Sequence, residues 1–340
     1  MIIDDFKQRL EQYLTDQSNT PVTILALKPL AGGASRDSWM LDAQIGEAIH
    51  KLVLRKDYAT QMNEKALTRR QEFDLMQRAL DSGVKVARVR FICDDDSILG
   101  QPFFLMDFVD GISIGPKVMQ LPELEQARHV LPEQMAEQLA KIHAMPVDDF
   151  DWLDRPTTGK TPAQYTVEQT YAILDATGAH VPAFEYALRW AERHAPTDPE
   201  VTFVHGDFRI GNLLVNTQGL AAVIDWEFGH MGSPIEEIGY LCMRDWRFGN
   251  DHLHAAGLCP RERFIQAYEQ FSGRQVDRHA ADWWEIVGNL RWGIICLAQA
   301  NRHLSGEDPS VELASLGRRS AEMQLEALRL IEKINQEENQ

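Results

Sequence analysis

Apolar positions recur with two different periods along this chain, and the change of period divides it. Phe6, Leu10, Tyr13 and Leu14 fall at helical spacing, which predicts an opening amphipathic helix. Short apolar runs at 22–27, 38–41 and 51–54 read as strands. Thr68 with Gln71 three residues on is a capping box, and with Gly83 as a stop it frames a helix over 67–80. Strands at 87–93 and 102–109 follow, joined through Asp94-Asp95-Asp96-Ser97, which suits a solvated hairpin turn better than a calcium loop. Beyond Gly111 helical spacing takes over, at 132–144, 166–177, 183–194, 261–271, 282–304 and 311–334. One β-rich island at 201–226 interrupts it. The pattern predicts an α+β fold in two lobes. Residues 1–106 form a small five-stranded antiparallel lobe with one helix, and residues 107–340 form a larger, mostly helical lobe.

Length and composition narrow the picture. At 340 residues the chain is long enough for two lobes, and 44% apolar with 25% charged residues is ordinary for a globular protein. A formal charge of -17 repels phosphate backbones, so no nucleic-acid partner is expected; a small-molecule substrate fits better. No stretch reaches the roughly 20 apolar residues of a membrane span, and the first residues are too charged for a secretory signal. Cys93, Cys242, Cys259 and Cys296 lie far apart with no CxxC, which leads us to expect a cytoplasmic protein without membrane association.

The chemistry concentrates in the β island, which reads His205-Gly206-Asp207-Phe208-Arg209-Ile210-Gly211-Asn212-Leu213-Leu214-Val215, a polar turn, then a second apolar run ending in Asp225-Trp226-Glu227. Two apolar runs around a turn closed by Gly219 predict a hairpin. Pairing Val215 with Leu220 puts Asn212 opposite Val223. Asn212 and Asp225 would then share a face, roughly 7–8 Å apart, near enough for both oxygens to reach one Mg²⁺. The inference depends on register. Asp207, in the loop entering the hairpin, is a carboxylate beside a metal site. Phosphoryl transfer needs such a base to take the proton of an attacking hydroxyl.

This string, His205-Gly206-Asp207 with Asn212 and then Ile224-Asp225-Trp226-Glu227, resembles the signature of the aminoglycoside phosphotransferase family. It is especially similar to the kinase-like domains fused to some acyl-CoA dehydrogenases. The resemblance implies a protein-kinase-like fold and an ATP- and Mg²⁺-dependent small-molecule kinase that acts on a hydroxyl. Asp207 matches the catalytic base, and Asn212 and Asp225 the metal ligands. Arg209, between base and ligand, would steady the transferring phosphate or a substrate anion, or brace Asp207. Gly32, Gly33 and Ser35 match the loop over the nucleotide phosphates, where bare backbone N–H groups approach oxygens closely. Arg55 stands where many kinases carry a phosphate-binding Lys; its fork changes the contact from a point charge to a bidentate one. Glu72 matches the carboxylate that orients this arginine, and Met106 to Val109, Phe108 among them, resemble the connector whose backbone meets the adenine. Ser233-Pro234 and Glu237 replace the family's usual Asp-Pro and later Asp, and we expect them to brace the loop.

Other readings leave marks in the sequence. His205 beside a strand end suits a structural hydrogen bond, and Glu227 suits either the metal's surroundings or a structural role. Gly111-Ile112-Ser113-Ile114-Gly115 fits the G-x-S-x-G elbow of a serine hydrolase, but Pro116 follows at once and no oxyanion segment precedes it. A nucleotide-binding pseudokinase is the other alternative, though it need not retain Asp207, Asn212 and Asp225 together. The acceptor is open between an aminoglycoside, which the acidic charge suits, and a hydroxyacyl compound, which the resemblance suggests.

Overall fold

The period-two runs pair into one antiparallel sheet in the computed structural model, which describes residues 3–30, 36–57 and 66–338. The first elements are α1 (Ile3–Ser18), β1 (Val22–Pro29), β2 (Arg36–Ile45), β3 (Ala48–Asp57), α2 (Arg69–Asp81), β4 (Val89–Cys93), α3 (Asp96–Leu99) and β5 (Phe103–Asp107). Their strand order is β1-β2-β3-β5-β4. Alternation sorts the side chains between two cores. Leu52, Leu54, Phe103 and Leu105 pack with Phe6, Leu10 and Leu14 of α1. Val53, Phe104 and Met106 turn the other way, toward Leu75 and Met76 of α2, and join the core of the helical lobe.

Two local expectations change. Among the described residues the lobe holds three helices, because the opening helix read from the spacing, α1, and an unforeseen short α3 accompany α2. The acidic run does join the antiparallel pair β4 and β5 across exposed residues, but through a short helix rather than a plain turn: Asp95 caps α3, its carboxylate accepting from the Ser97 N–H at 2.9 Å. The capping box at α2 forms as read, with the Thr68 hydroxyl accepting from Gln71 N–H and Gln71 returning to Thr68 N–H.

The helical lobe continues through α4 (Gly115–Gln120), α5 (Glu125–His143), α6 (Pro162–Thr177), α7 (Pro182–Arg193), β6 (Thr202–Val204), β7 (Leu213–Asn216), β8 (Gly219–Val223) and β9 (His230–Gly232). It ends with α8 (Pro234–Cys242), α9 (Arg261–Ser272), α10 (Arg278–Leu304) and α11 (Val311–Glu338). Helix α5 begins at Glu125, well before the expected start at Pro132, which lies inside it. Proline is at home in a helix's first turn, so it reads as a start; here it lacks the N–H that would have bonded the Arg128 carbonyl, and the helix passes through. Among the described residues no helix is long and apolar enough to cross a membrane.

Candidate active site

The hairpin β7–β8 pairs Val215 with Leu220 as expected, but a register shift separates that pair from Leu214↔Ala222. Ala221 is the extra residue, and the bulge places Val223 opposite Leu213 rather than Asn212. Neither candidate metal ligand lies on a strand. Asn212 closes a 3₁₀ turn over Ile210–Asn212, and Asp225 follows β8 with φ 67°. Strand alternation therefore does not bring them together. The backbone does part of that work instead: Ile224 N–H donates to the Asn212 carbonyl at 2.9 Å, so Asp225 follows directly on a residue paired with Asn212. A left-handed conformation at a non-glycine residue costs energy and is held only where the surroundings impose it.

Asp207 is 9% exposed and its carboxylate is held from three sides. Oδ1 accepts from Arg209 Nε at 3.0 Å and from the Tyr240 hydroxyl at 2.7 Å. Oδ2 accepts from Asn212 Nδ2 at 2.6 Å, and the same amide also donates to the Asp207 carbonyl at 2.9 Å. With Nδ2 committed, the carboxamide oxygen of Asn212 has no hydrogen-bond donor among the described residues. The Arg209 guanidinium lies over the Trp246 ring, 4.7 Å from its centroid. Its Nη groups have no acceptor among the described residues. Burial opposes the charge of Arg209, but Asp207 and other nearby acidic groups, Asp225 among them, keep its pKa raised. Burial, and then the Asp207 carboxylate, push the Tyr240 hydroxyl well above its ordinary range, so it stays a neutral donor.

The loop that carries Asp207 is clamped from below. Glu237, 1% exposed on α8, accepts the His205 N–H on Oε2 and the Gly206 N–H on Oε1, both at 3.0 Å. His143 Nε2 lies 3.1 Å from the same carboxylate. The buried ring of His205 places Nε2 3.0 Å from the Ile224 carbonyl and accepts the Asp207 N–H on Nδ1 at 3.3 Å. Nε2 therefore carries the proton, and His205 ties the loop entering the hairpin to the segment leaving it. Gly206 has φ 82°, and a Cβ there would collide with the Phe228 carbonyl oxygen. Ser233 caps α8, accepting from Ile235 N–H, with Pro234 in the first turn. The bracing expected of Ser233, Pro234 and Glu237 thus has a specific form, a capped helix whose first turn presents a carboxylate to two backbone donors.

A second cluster meets Asp225. Arg55, 8% exposed on β3, places Nη2 2.9 Å from Asp225 Oδ1 and Nη1 3.3 Å from Glu72 Oε1. Burial works against its charge, yet Glu72 and Asp225 raise its pKa further. Glu72 is wholly buried and also pairs with Arg69, whose Nε lies 3.1 Å from Asp57 Oδ1. The charges of Asp57, Arg69, Glu72, Arg55 and Asp225 thus alternate in sign along one chain of contacts. Met106 is buried in β5, paired with both Val53 and Val89, while Phe108 N–H donates to the Lys51 carbonyl at 2.9 Å and its ring carries Lys51 Nζ at 4.2 Å. The backbone of Glu227 accepts the Leu67 N–H at 3.0 Å, and its buried side chain acts on Arg55 electrostatically. Gly32, Gly33 and Ser35 lie outside the described residues. Ser113 does not follow a strand directly: β5 ends at Asp107, and Ile112 bridges Val215, so the strand-turn-helix of a nucleophile elbow is not formed.

Sequence reasoning missed Tyr240, Arg69 and Asp57. Tyr240 had a signal: it lies three residues after Glu237 on α8, so the two share a face, and Glu237 grips the loop two residues before Asp207. Arg69 had one as well, standing three residues before Glu72 on α2 and pairing with it; Asp57 had none, since only packing brings that strand end to the helix.

The model of the phosphotransferase enzyme family (APH) matches residues 26–284. The chain belongs to this family. Acyl-CoA dehydrogenase family member 10 of Mus musculus is 33% identical over 208 residues, 58% of this chain and 18% of that protein. The chain spans 18% to 39% of the length of the curated relatives it matches. Among solved structures, a candidate aminoglycoside phosphotransferase from Ralstonia eutropha superposes with a TM-score of 0.75 at 22% identity, covering 96% of this chain and 98% of that one. A thermostable mutant of aminoglycoside phosphotransferase APH(4)-Ia, in ternary complex with ADP and hygromycin B, gives a TM-score of 0.58 at 16% identity, covering 93% and 97%. The fold is the two-lobed, protein-kinase-like fold of the family.

Proposed function

We propose that this chain is an ATP- and Mg²⁺-dependent kinase that transfers the γ-phosphate to a hydroxyl group of a small molecule. The observation that carries the reading is the Asp207 carboxylate, fixed by Arg209, Asn212 and Tyr240, with the Asp225 of the Arg55–Asp225 pair within electrostatic reach of Arg209. Asp207 takes the proton of the attacking hydroxyl, which a carboxylate held in one orientation does without first reorganising. Arg209, anchored at Nε and on Trp246, offers its two Nη groups to the oxygens of the transferring phosphoryl. Arg55 binds nucleotide phosphate from the other side, steadied by Glu72, and the connector from Met106 to Val109, Phe108 within it, meets the adenine. We take residues 1–106 as the nucleotide lobe and 107–340 as the catalytic lobe.

Asn212 and Asp225 would hold the Mg²⁺. The donor set fits: one uncommitted carboxamide oxygen and one carboxylate are hard ligands of the number Mg²⁺ takes from protein, the rest coming from phosphate and water. When bound, the ion spreads the charge that builds on the phosphate oxygens.

The reading is tested by ADP release from Mg·ATP across hydroxylated small molecules, with hygromycin B and hydroxyacyl compounds as the first two classes. An acceptor should stimulate release, and Asp207→Ala should lower that rate by about 10²–10⁴ while ATP still binds. Equal rates for the two proteins would remove Asp207 from the role. Nucleotide binding with no acceptor-stimulated release across the screen would favour the pseudokinase.

A further inference from the structure

The carboxylate of Asp207 is filled unevenly. An ionised carboxylate oxygen has two lone pairs. Oδ1 receives two donors, Arg209 Nε at 3.0 Å and the Tyr240 hydroxyl at 2.7 Å, whereas Oδ2 receives one, Asn212 Nδ2 at 2.6 Å. Oδ1 is therefore saturated, and one lone pair remains on Oδ2.

We propose that Tyr240 is a positioning residue for the transfer: together with Arg209 it occupies Oδ1 and so turns the open lone pair of Oδ2 toward the acceptor hydroxyl. The proposal rests on the reading of Asp207 as base. In the step it serves, the acceptor oxygen bonds to the γ-phosphorus, the bond from that phosphorus to the bridging oxygen breaks to leave ADP, and the hydroxyl proton passes to Oδ2. Tyr240 gives up no proton and touches none of the reacting atoms.

The surroundings suit a fixed strut. Tyr240 projects from α8, three residues beyond Glu237, which holds the N–H groups of His205 and Gly206. One helix face thus sets both the backbone entering Asp207 and the side chain of Asp207 itself. The Tyr240 ring packs 5.6 Å from Trp246, which packs 5.4 Å from Trp292 of α10. The Nε1 of Trp292 donates to Asp245 at 2.6 Å, and Arg319 of α11 pairs with the same carboxylate. The phenol is thereby backed, through Trp246, by α10 and α11.

Hydrolysis of Mg·ATP to ADP and phosphate, with water as the acceptor, tests this without a known substrate. Four proteins are compared: wild type, Tyr240→Phe, Asp207→Asn and the double variant. Phenylalanine keeps the ring against Trp246, so the variant should fold with ATP affinity matching wild type and only the modest drop in melting temperature that one lost hydrogen bond brings. We expect kcat of Tyr240→Phe to fall about 10–100-fold with KM for ATP unchanged, the scale of one hydrogen bond to a charged group. In the Asp207→Asn background the same change should cost nothing further, because its effect runs through the lost carboxylate. A wild-type kcat in Tyr240→Phe would overturn the proposal, as would an equal loss in both backgrounds. Wild-type hydrolysis by Asp207→Asn would instead overturn the base assignment on which the proposal rests.

Discussion

Two groups of charged side chains make up the site, and they are assembled in opposite ways. Asp207, Arg209 and Asn212 come from a single loop whose turn, glycine conformation and 3₁₀ closure put them in contact. Arg55, Glu72 and Asp225 come from a strand, a helix and a hairpin end, with the Arg55–Asp225 pair joining positions 170 residues apart. The local group stands wherever its loop folds. The dispersed group forms only when β3, α2 and the hairpin dock, so its charges are buried by the fold and answer for the docking. Changes in the dispersed group should therefore register first as stability, and changes in the local group as turnover.

The largest stability effect should come from Glu72→Gln. It leaves the guanidinium groups of Arg55 and Arg69 buried with less compensation, and breaking such a pair costs about 3–5 kcal/mol. Urea denaturation measures it; a loss below about 1 kcal/mol would mean that the ion chain does not hold the elements together. Glu237→Ala comes next. The buried His205 N–H and the half-buried Gly206 N–H lose their acceptor, at about 1–3 kcal/mol for the buried one and less for the other, and turnover should fall along with stability because the loop also positions Asp207. Turnover preserved in a destabilised Glu237→Ala would show that the loop keeps its shape without the clamp.

A smaller effect distinguishes the surroundings of the loop by pH. Glu236, 3.5 Å from the half-buried His230, stabilises its charged form, and its pKa is raised despite desolvation and the nearby Arg291. A raised folded pKa means that this contribution is complete below about pH 6.5, the ordinary histidine value, and is lost as pH rises through the folded value. The denaturation free energy of wild type should therefore decline over that window relative to His230→Gln. Parallel pH curves would remove His230 from the account. The smallest effect is expected from Asp94→Asn, which breaks a pair with Arg70 whose side chains are 45% and 56% exposed; a loss within about 1 kcal/mol sets the scale of a solvent-screened pair against the buried chain.

The same contrast explains what could be read in the sequence. The local group was legible because its residues sit close together in a spaced motif, and period two exposed the sheet with its two faces. What resisted reading depended on contacts between distant segments or on one inserted residue. Asn212 and Asp225 were linked through a register that the bulge at Ala221 breaks. Helix α8 escaped notice because it is buried nearly all round, Glu236 and Glu237 included, and so shows no polar stripe. Pro132 hid the first turns of α5. Asp57 carries no spacing signal, since its pairing with Arg69 exists only in the packed lobe.

The central claim, that Asp207 accepts a proton during phosphoryl transfer, is tested most directly by single-turnover transfer from Mg·ATP at saturating nucleotide in wild type and Asp207→Asn. Asparagine keeps the size of the side chain and removes its basicity. The account predicts a chemical step slower by about 10²–10⁴ with ATP affinity unchanged; a chemical step at the wild-type rate would contradict it.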